Sequence, residues 1–442
     1  MKNFIQKFQK LAPKSKSPTR RKRDTKSPPS LHTLPPELLS NILSHLSSKR
    51  DIFPLLLTCK RLYHTAHPHL WKSLESNIQE RNTFSLSYRY RTRGLRRLGD
   101  DITDQIYNLN KDDVLGFKYL KHIVFWAADL DAGSVWIDSG LFKVVCGQIK
   151  AGKVQLRWLE VIFGRSEQVC YEALELLSVL KEHSETWPQP LKIRINIPWS
   201  DQFSELITNN FRLEDITNLR LRSDTDIPSD GVGEDVVEET IDNIKRLTNL
   251  LQRLPSLEIL YLEGPENTCE RVPTLIRPLL PELSQLQNTI LGLKRVQSLH
   301  IYGPLFHPSF FVTPPENVKK LTITRCFSWE WWRQFSQCPF SKVEELELCV
   351  DTDWIISEWG SLDYIDMRIQ GQKIGYTMET FKLKSLKKFK TDRWIRSEFI
   401  PEGFFDTVVA NNPGLDEESR KHCEIMREYL KPIVIKGRMG KR

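Results

Sequence analysis

The sequence predicts an α/β chain: a three-helix module over residues 31–75, followed by an irregular α/β solenoid over residues 111–412. Three observations carry this. Between Leu34 and Trp71 apolar residues recur at helical spacing, with proline and acid at the helix starts. After residue 110 the pattern apolar-x-x-apolar-x-apolar returns at intervals of about 22 to 43 positions, in or near the range of strand-plus-helix repeats. With 442 residues, 40% apolar and 10% aromatic, the chain has room for two or three domains and a sizeable core.

Residues 1–30 read as a disordered basic tail. Ten Lys or Arg and one acid, Asp24, give it +9, so with a net charge of +8 the rest of the chain sums to −1. The basic balance therefore describes the tail, and nucleic-acid binding by the folded body is not expected. Arg20, Arg21, Lys22 and Arg23 form a cluster suited to nuclear import or simply to a solvated arm, flanked by Ser17-Pro18 and Ser27-Pro28, which offer phosphate acceptors. Phe4, Ile5, Phe8 and Leu11 opposite Lys2, Lys7 and Lys10 give a weaker targeting or membrane-surface pattern. No secretory core and no apolar run of about twenty residues is present, so a soluble chain of the cytoplasm, the nucleus or both is expected, with no membrane partner.

In the module, Pro35 and Pro36 fit a first helical turn, and Glu37 complements the positive end of the helix dipole. Leu38, Leu39, Ile42, Leu43 and Leu46 form a broad stripe. Asp51 is a plausible N-cap for a second helix, with Pro54 in its first turn, and Pro68 is expected to end a third. About forty residues rarely sustain a core alone, so the surplus apolar surface must meet the rest of the chain or another protein.

These residues resemble the F-box, the adaptor-binding module of ubiquitin-ligase substrate receptors. The match lies in Leu34-Pro35, Glu37-Leu38-Leu39, Ile42-Leu43, Leu46, the Ile52 to Leu57 run, Cys59-Lys60-Arg61 and Leu70-Trp71, with Leu62 where many members carry tryptophan and Tyr63 beside it. The resemblance implies that Leu34, Pro35, Glu37, Leu38, Leu39, Ile42, Leu43, Leu46, Ile52, Leu55, Leu56 and Trp71 contact a Skp-type adaptor and, through it, cullin and RING subunits. An ordinary helical subdomain packed on its own chain is the alternative.

Residues 76–110 read as a basic linker, where Arg81, Arg89, Arg91, Arg93, Arg96 and Arg97 interleave with Tyr88 and Tyr90. The array that follows repeats at Leu120/Ile123/Phe125, Leu156/Leu159/Val161, Ile216/Leu219/Leu221, Leu257/Leu260/Leu262, Val296/Leu299/Ile301, Val318/Leu321/Ile323 and Val343/Leu346/Leu348, with looser copies around Ile193 and Phe389. One such unit cannot bury its face, whereas stacked units share a core. The arrangement resembles a leucine-rich-repeat domain, with Cys326 and Cys349 nearest to the usual residue after the strand.

Residues between the apolar positions are expected on the face opposite the core: Trp158 and Glu160, Arg220 and Arg222, Ile259 and Tyr261, His300 and Tyr302, Lys320 and Thr322, Glu345 and Glu347. Arg220, Arg222, Tyr261, His300 and Tyr302 are the candidate substrate readers, since arginine and aromatic side chains commonly anchor protein recognition. Trp329, Trp331 and Trp332 read as core packing, Asp224 to Glu239 as an acidic loop before a helix bearing Ile241, Ile244, Leu247 and Leu250, and residues 413–442 as a capping helix and basic end.

Eight cysteines without a CxxC pair point to reduced, mostly buried thiols. Cys59, His64, His67 and His69 match no zinc spacing, no P-loop, G-x-S-x-G or HExxH motif occurs, and neither metal nor cofactor is expected. The family resemblance implies a non-catalytic substrate receptor of a ubiquitin ligase holding an unknown protein substrate. A non-ligase F-box scaffold and a nucleic-acid- or chromatin-associated repeat protein are the alternatives.

Overall fold

The computed structural model describes residues 34–46, 49–75, 117–127, 141–163, 171–199, 202–222, 234–263, 272–302, 317–324, 342–349, 385–391 and 403–429. The basic tail, the arginine linker and Trp329, Trp331 and Trp332 lie outside them. The chain divides into two units, at residues 70 and 71.

Among its described residues the first unit holds three helices: α1 (Pro36–Ser44), α2 (Lys49–Leu56) and α3 (Lys60–Trp71), the last running one residue into the second unit. Pro35 stands at the N-cap of α1, with no side-chain cap. Leu39, Leu43, Ile52, Leu62, Ala66 and Leu70 are buried. The Arg61 guanidinium donates to the Leu34 carbonyl at 2.7 Å, and Ser40 Oγ lies 2.8 Å from His69 Nε2, tying α1 to α3.

Two expected helix limits shift. Asp51 lies inside α2, not at its cap, and Pro54 is interior. Pro68 does not end α3, which continues to Trp71. A proline inside a helix forfeits one backbone bond, and the turn beyond it persists because it carries the buried Leu70.

The second unit is built on ten parallel strands in chain order: β1 (Ser73–Glu75), β2 (His122–Trp126), β3 (Trp158–Ile162), β4 (Lys192–Pro198), β5 (Ile216–Arg222), β6 (Ile259–Leu262), β7 (Ser298–Tyr302), β8 (Lys320–Thr324), β9 (Glu345–Cys349) and β10 (Lys388–Thr391). Between and after them lie α4 (Leu141–Lys150), α5 (Tyr171–His183), α6 (Phe203–Asn210), α7 (Glu234–Gln252), α8 (Val272–Leu291), α9 (Phe404–Asn411) and α10 (Glu417–Tyr429). The end of the acidic stretch, from Glu234, is helical.

Parallel sheets covered on both faces read as continuous apolar runs; these strands alternate. Phe125, Val161, Ile195, Leu219, Leu260, Leu299, Leu321, Leu346 and Phe389 share one register row on the core side. They pack in one cluster with Ile149, Leu176, Leu180, Ile207, Leu247, Leu251, Leu286 and Ile290 of the helices.

The same junction recurs between neighbours. At strand entry two consecutive amides donate to one carbonyl of the preceding unit: His122 and Lys121 to Lys72, Trp158 and Arg157 to Lys121, Ser298 and Gln297 to Glu258, Lys320 and Lys319 to Gln297, Glu345 and Glu344 to Lys319, Lys388 and Lys387 to Glu344. Register breaks between β4 and β5, where Ile193 pairs with Ile216 but Arg194 with Asn218. Ile216 and Leu219 lie three apart and both face the core, which an alternating strand permits only with one extra residue, Thr217.

Beyond β10, α10 lies along the strand. Ser419 Oγ accepts the Phe389 amide at 2.9 Å, His422 Nε2 accepts the Thr391 amide at 3.0 Å, and the Asp416 amide donates to the Lys387 carbonyl. Phe389, Phe404 and Phe405 pack together behind it, with ring centroids 5.2 to 6.4 Å apart.

Candidate functional site

The helical module carries more apolar surface than it encloses. On α1 the row Leu39 and Leu43 faces inward, while the adjacent row, Leu38 and Ile42, is 51% and 42% exposed. Leu57, just past α2, is 59% exposed. Both α1 rows repeat at i, i+4, so one helix presents an inner and an outer seam.

The predicted contact residues therefore separate by role. Leu39, Leu43 and Ile52 are buried and build the module. Leu34, Leu46, Leu55 and Leu56 are half-buried, and Pro35 and Glu37 exposed. Trp71 belongs to the second unit, where its ring packs 6.1 Å from that of Phe117. Leu57 was absent from the predicted set, although it closes the quoted Ile52 to Leu57 run. Tyr63 is exposed and stacks on His67 at 5.2 Å, so that histidine serves packing.

Cys59 is exposed. Cys146 and Cys423 are buried, which pushes their thiols up to about 11 and about 12.

On the sheet, register assembles the second candidate surface. Asn196, Arg220, Tyr261, His300 and Thr322 occupy one row opposite the core. Strands about 4.8 Å apart bring side chains of one row into stacking range. The Arg220 guanidinium lies 4.2 Å from the Tyr261 ring centroid, and the Tyr261 and His300 rings stack at 3.5 Å with 17° between planes. Arg220 also donates to Glu263, and Arg222, one pair further along β5, donates to the Phe163 carbonyl.

Arg194 on β4 donates to Glu160 at 3.3 Å, with its guanidinium 5.6 Å from the Trp158 ring. His300 is only 9% exposed. Burial, with the charges of Arg220 and Lys320, lowers it to about 3, so its imidazole is neutral at neutral pH. Its Nε2 has no protein partner.

Of the predicted readers, Arg220, Tyr261 and His300 come together in one stack and Arg222 flanks it. Tyr302 closes β7, but its side chain lies outside the described residues. Arg194 and Asn196 were missed because the copy around Ile193 matched loosely. The alternation of Ile193, Ile195 and Ile197 within Lys192–Pro198 was the available signal.

Further along, Glu345 sits between Lys320 at 3.9 Å and Lys388 at 2.7 Å, and Lys390 is 3.9 Å from Glu347. Exposed pairs like these contribute little to stability and more to register.

Among the described residues no helix is long and apolar enough to cross a membrane, and no three His, Cys, Asp or Glu side chains gather as a metal set. A comparison with curated proteins finds no match for the chain. The F-box-like family model matches residues 31–76, the segment that holds α1, α2, α3 and the exposed apolar seam. The chain thus carries an F-box-like domain over residues 31–76.

Proposed function

We propose that this chain is the substrate-recognition subunit of an SCF-type (Skp–cullin–F-box) ubiquitin ligase. F-box domains generally bind Skp-type adaptors. The observation that carries the reading is the outward seam of Leu38, Ile42 and Leu57 within the segment that matches that family. The adaptor covers this seam and links the chain to cullin and RING subunits.

The ten-stranded unit, in this reading, is a leucine-rich-repeat-like solenoid. Chain-ordered parallel strands, alternation with a single apolar face, and the recurring junction support it. Its outer face holds a protein substrate near the ubiquitin-charged conjugating enzyme, raising the local concentration of substrate lysines. Transfer chemistry belongs to the partner subunits, the modified substrate goes to the proteasome, and the Arg20 to Arg23 cluster directs part of the population to the nucleus.

The test is reconstitution from purified subunits. The full chain is expected to retain a Skp-type adaptor and then cullin, while Leu38→Asp/Ile42→Asp, with unchanged circular dichroism, retains neither. Adaptor without cullin would make the protein a non-ligase scaffold; no adaptor bound by the parent would overturn the reading.

A further inference from the structure

We propose that α10 is a pH-operated latch on the last strand, closed while His422 is neutral and released from β10 when the imidazole takes up a proton.

The hydrogen bonds fix the state of the ring. The Thr391 amide lies 3.0 Å from His422 Nε2, and Thr391 Oγ1 lies 3.0 Å from the same nitrogen. A backbone amide only donates, so Nε2 presents its lone pair and the neutral ring carries its proton on Nδ1. An imidazolium has an N–H at both nitrogens. A proton on Nε2 therefore turns the acceptor into a second donor aimed at the Thr391 amide. The hydroxyl can rotate to accept, but the amide cannot reverse. Thr391 is only 3% exposed, so water does not replace the lost bond, and the closed arrangement is left with a buried unpaired donor.

The other bonds across this contact do not titrate. Ser419 Oγ accepts the Phe389 amide at 2.9 Å, and the Asp416 amide donates to the Lys387 carbonyl at 2.8 Å. Neither a hydroxyl nor a peptide group changes charge near neutral pH, whereas an ordinary histidine does so at about 6.5. Of these strand-to-helix bonds, those to His422 are the ones that respond to acid.

The surrounding charges stay constant while the ring titrates. β10 and α9 are the described elements packed most closely on α10. On β10, Lys388 is 2.7 Å from Glu345 and Lys390 is 3.9 Å from Glu347; on α9, Asp406 is 2.9 Å from Arg427 of α10. Glu418, one turn before His422, attracts the proton, and Lys388, on which Glu418 and Asp416 both act, offsets that attraction. Ordinary carboxylate and ammonium groups do not change charge between about pH 7.5 and about pH 5.5.

Release has its own signature, because α10 is 13 residues long. A helix of that length is marginal in water by itself, so one lifted off β10 frays.

The test is hydrogen exchange of the full chain, read by mass spectrometry at about pH 7.5 and about pH 5.5, with each rate referred to the intrinsic rate at that pH. Residues 385–391 and 416–423 are expected to lose protection together, by about tenfold, while residues 258–263 of the central sheet keep theirs. His422→Gln, whose Oε1 accepts the amide at either pH, should abolish the loss. His300→Gln, a change at another buried histidine, should leave it in place. Nuclear magnetic resonance of the parent chain with isotopically labelled histidine supplies a measurement independent of any variant: His422 Nε2 should resonate as an unprotonated nitrogen at neutral pH. Unchanged protection in acid, an equal loss in the central sheet, a loss over residues 385–391 without residues 416–423, or the same loss in His422→Gln would overturn the proposal, as would a protonated Nε2 at neutral pH.

Discussion

The two seams of α1 make opposite predictions for neighbouring leucines. Fully burying a leucine or isoleucine side chain is worth about 1.5–3 kcal/mol. Leu38 and Ile42 still show 51% and 42% of their surface. A partner that covers them therefore gains roughly half the full value from each, about 0.8–1.5 kcal/mol. Alanine keeps one methyl, so Leu38→Ala/Ile42→Ala is expected to lose about 1.5–2.5 kcal/mol of adaptor binding, or about 10–70-fold in Kd. Its stability should change by less than about 0.5 kcal/mol, as for surface positions. Leu39→Ala, one residue away but buried, should instead destabilise the module by about 2–5 kcal/mol. Isothermal titration against purified adaptor reads the first quantity, and urea denaturation followed by circular dichroism the second. Binding by the double variant within about twofold of the parent, or destabilisation matching that of Leu39→Ala, would refute the assignment of the outer seam.

Three further outcomes follow from the chemistry of single groups. At about pH 8 a thiol lifted to about 11 is only about one-thousandth thiolate, so alkylation mapped by mass spectrometry should mark Cys59 and spare Cys146 and Cys423 until the chain unfolds. His300 stays neutral in the fold down to about 3 whereas an unfolded histidine takes up its proton below about 6.5, so stability falls as pH drops through that window, by up to about 1.4 kcal/mol per unit. His300→Gln should flatten that slope in urea titrations. Asp416 caps α10 by accepting the Ser419 amide at 2.8 Å, and the Ser419 hydroxyl, with this amide second, holds its carboxyl below the ordinary 3.8. Asp416→Ala should cost about 1 kcal/mol near neutral pH, and the difference between variant and parent should close as pH falls through the lowered value.

Much of the fold was legible because inward residues repeat with period two. Leu159/Val161, Leu260/Leu262 and Leu321/Ile323 each mark a strand that the structure contains. β1 escaped notice because Ser73–Glu75 has three residues, too few to display a period of two. The helix ends at Asp51 and Pro68 were misread because local proline and cap preferences yield to burial further along the chain, at Ile52 and Leu70. For the candidate surfaces, residue type was readable and geometry was not. Arg220, Tyr261 and His300 were named from alternation, but their stacking depends on how β5, β6 and β7 align, including the extra residue at Thr217. Likewise Leu38 and Leu39 are indistinguishable in sequence, and only the positions of α2 and α3 decide which one faces out.

The bonds from α10 to β10 determine what the last strand is able to do. A parallel sheet that grows one unit at a time has no intrinsic stopping point, and its final strand presents donors to any extended chain that drifts alongside. Here the Phe389 and Thr391 amides are already spent on Ser419 and His422, and a carbonyl on the Asp416 amide. The helix thus closes this edge: it answers the strand's hydrogen bonds without offering a new edge of its own. Removing it would leave the Phe389 and Thr391 amides unpaired on an open parallel edge.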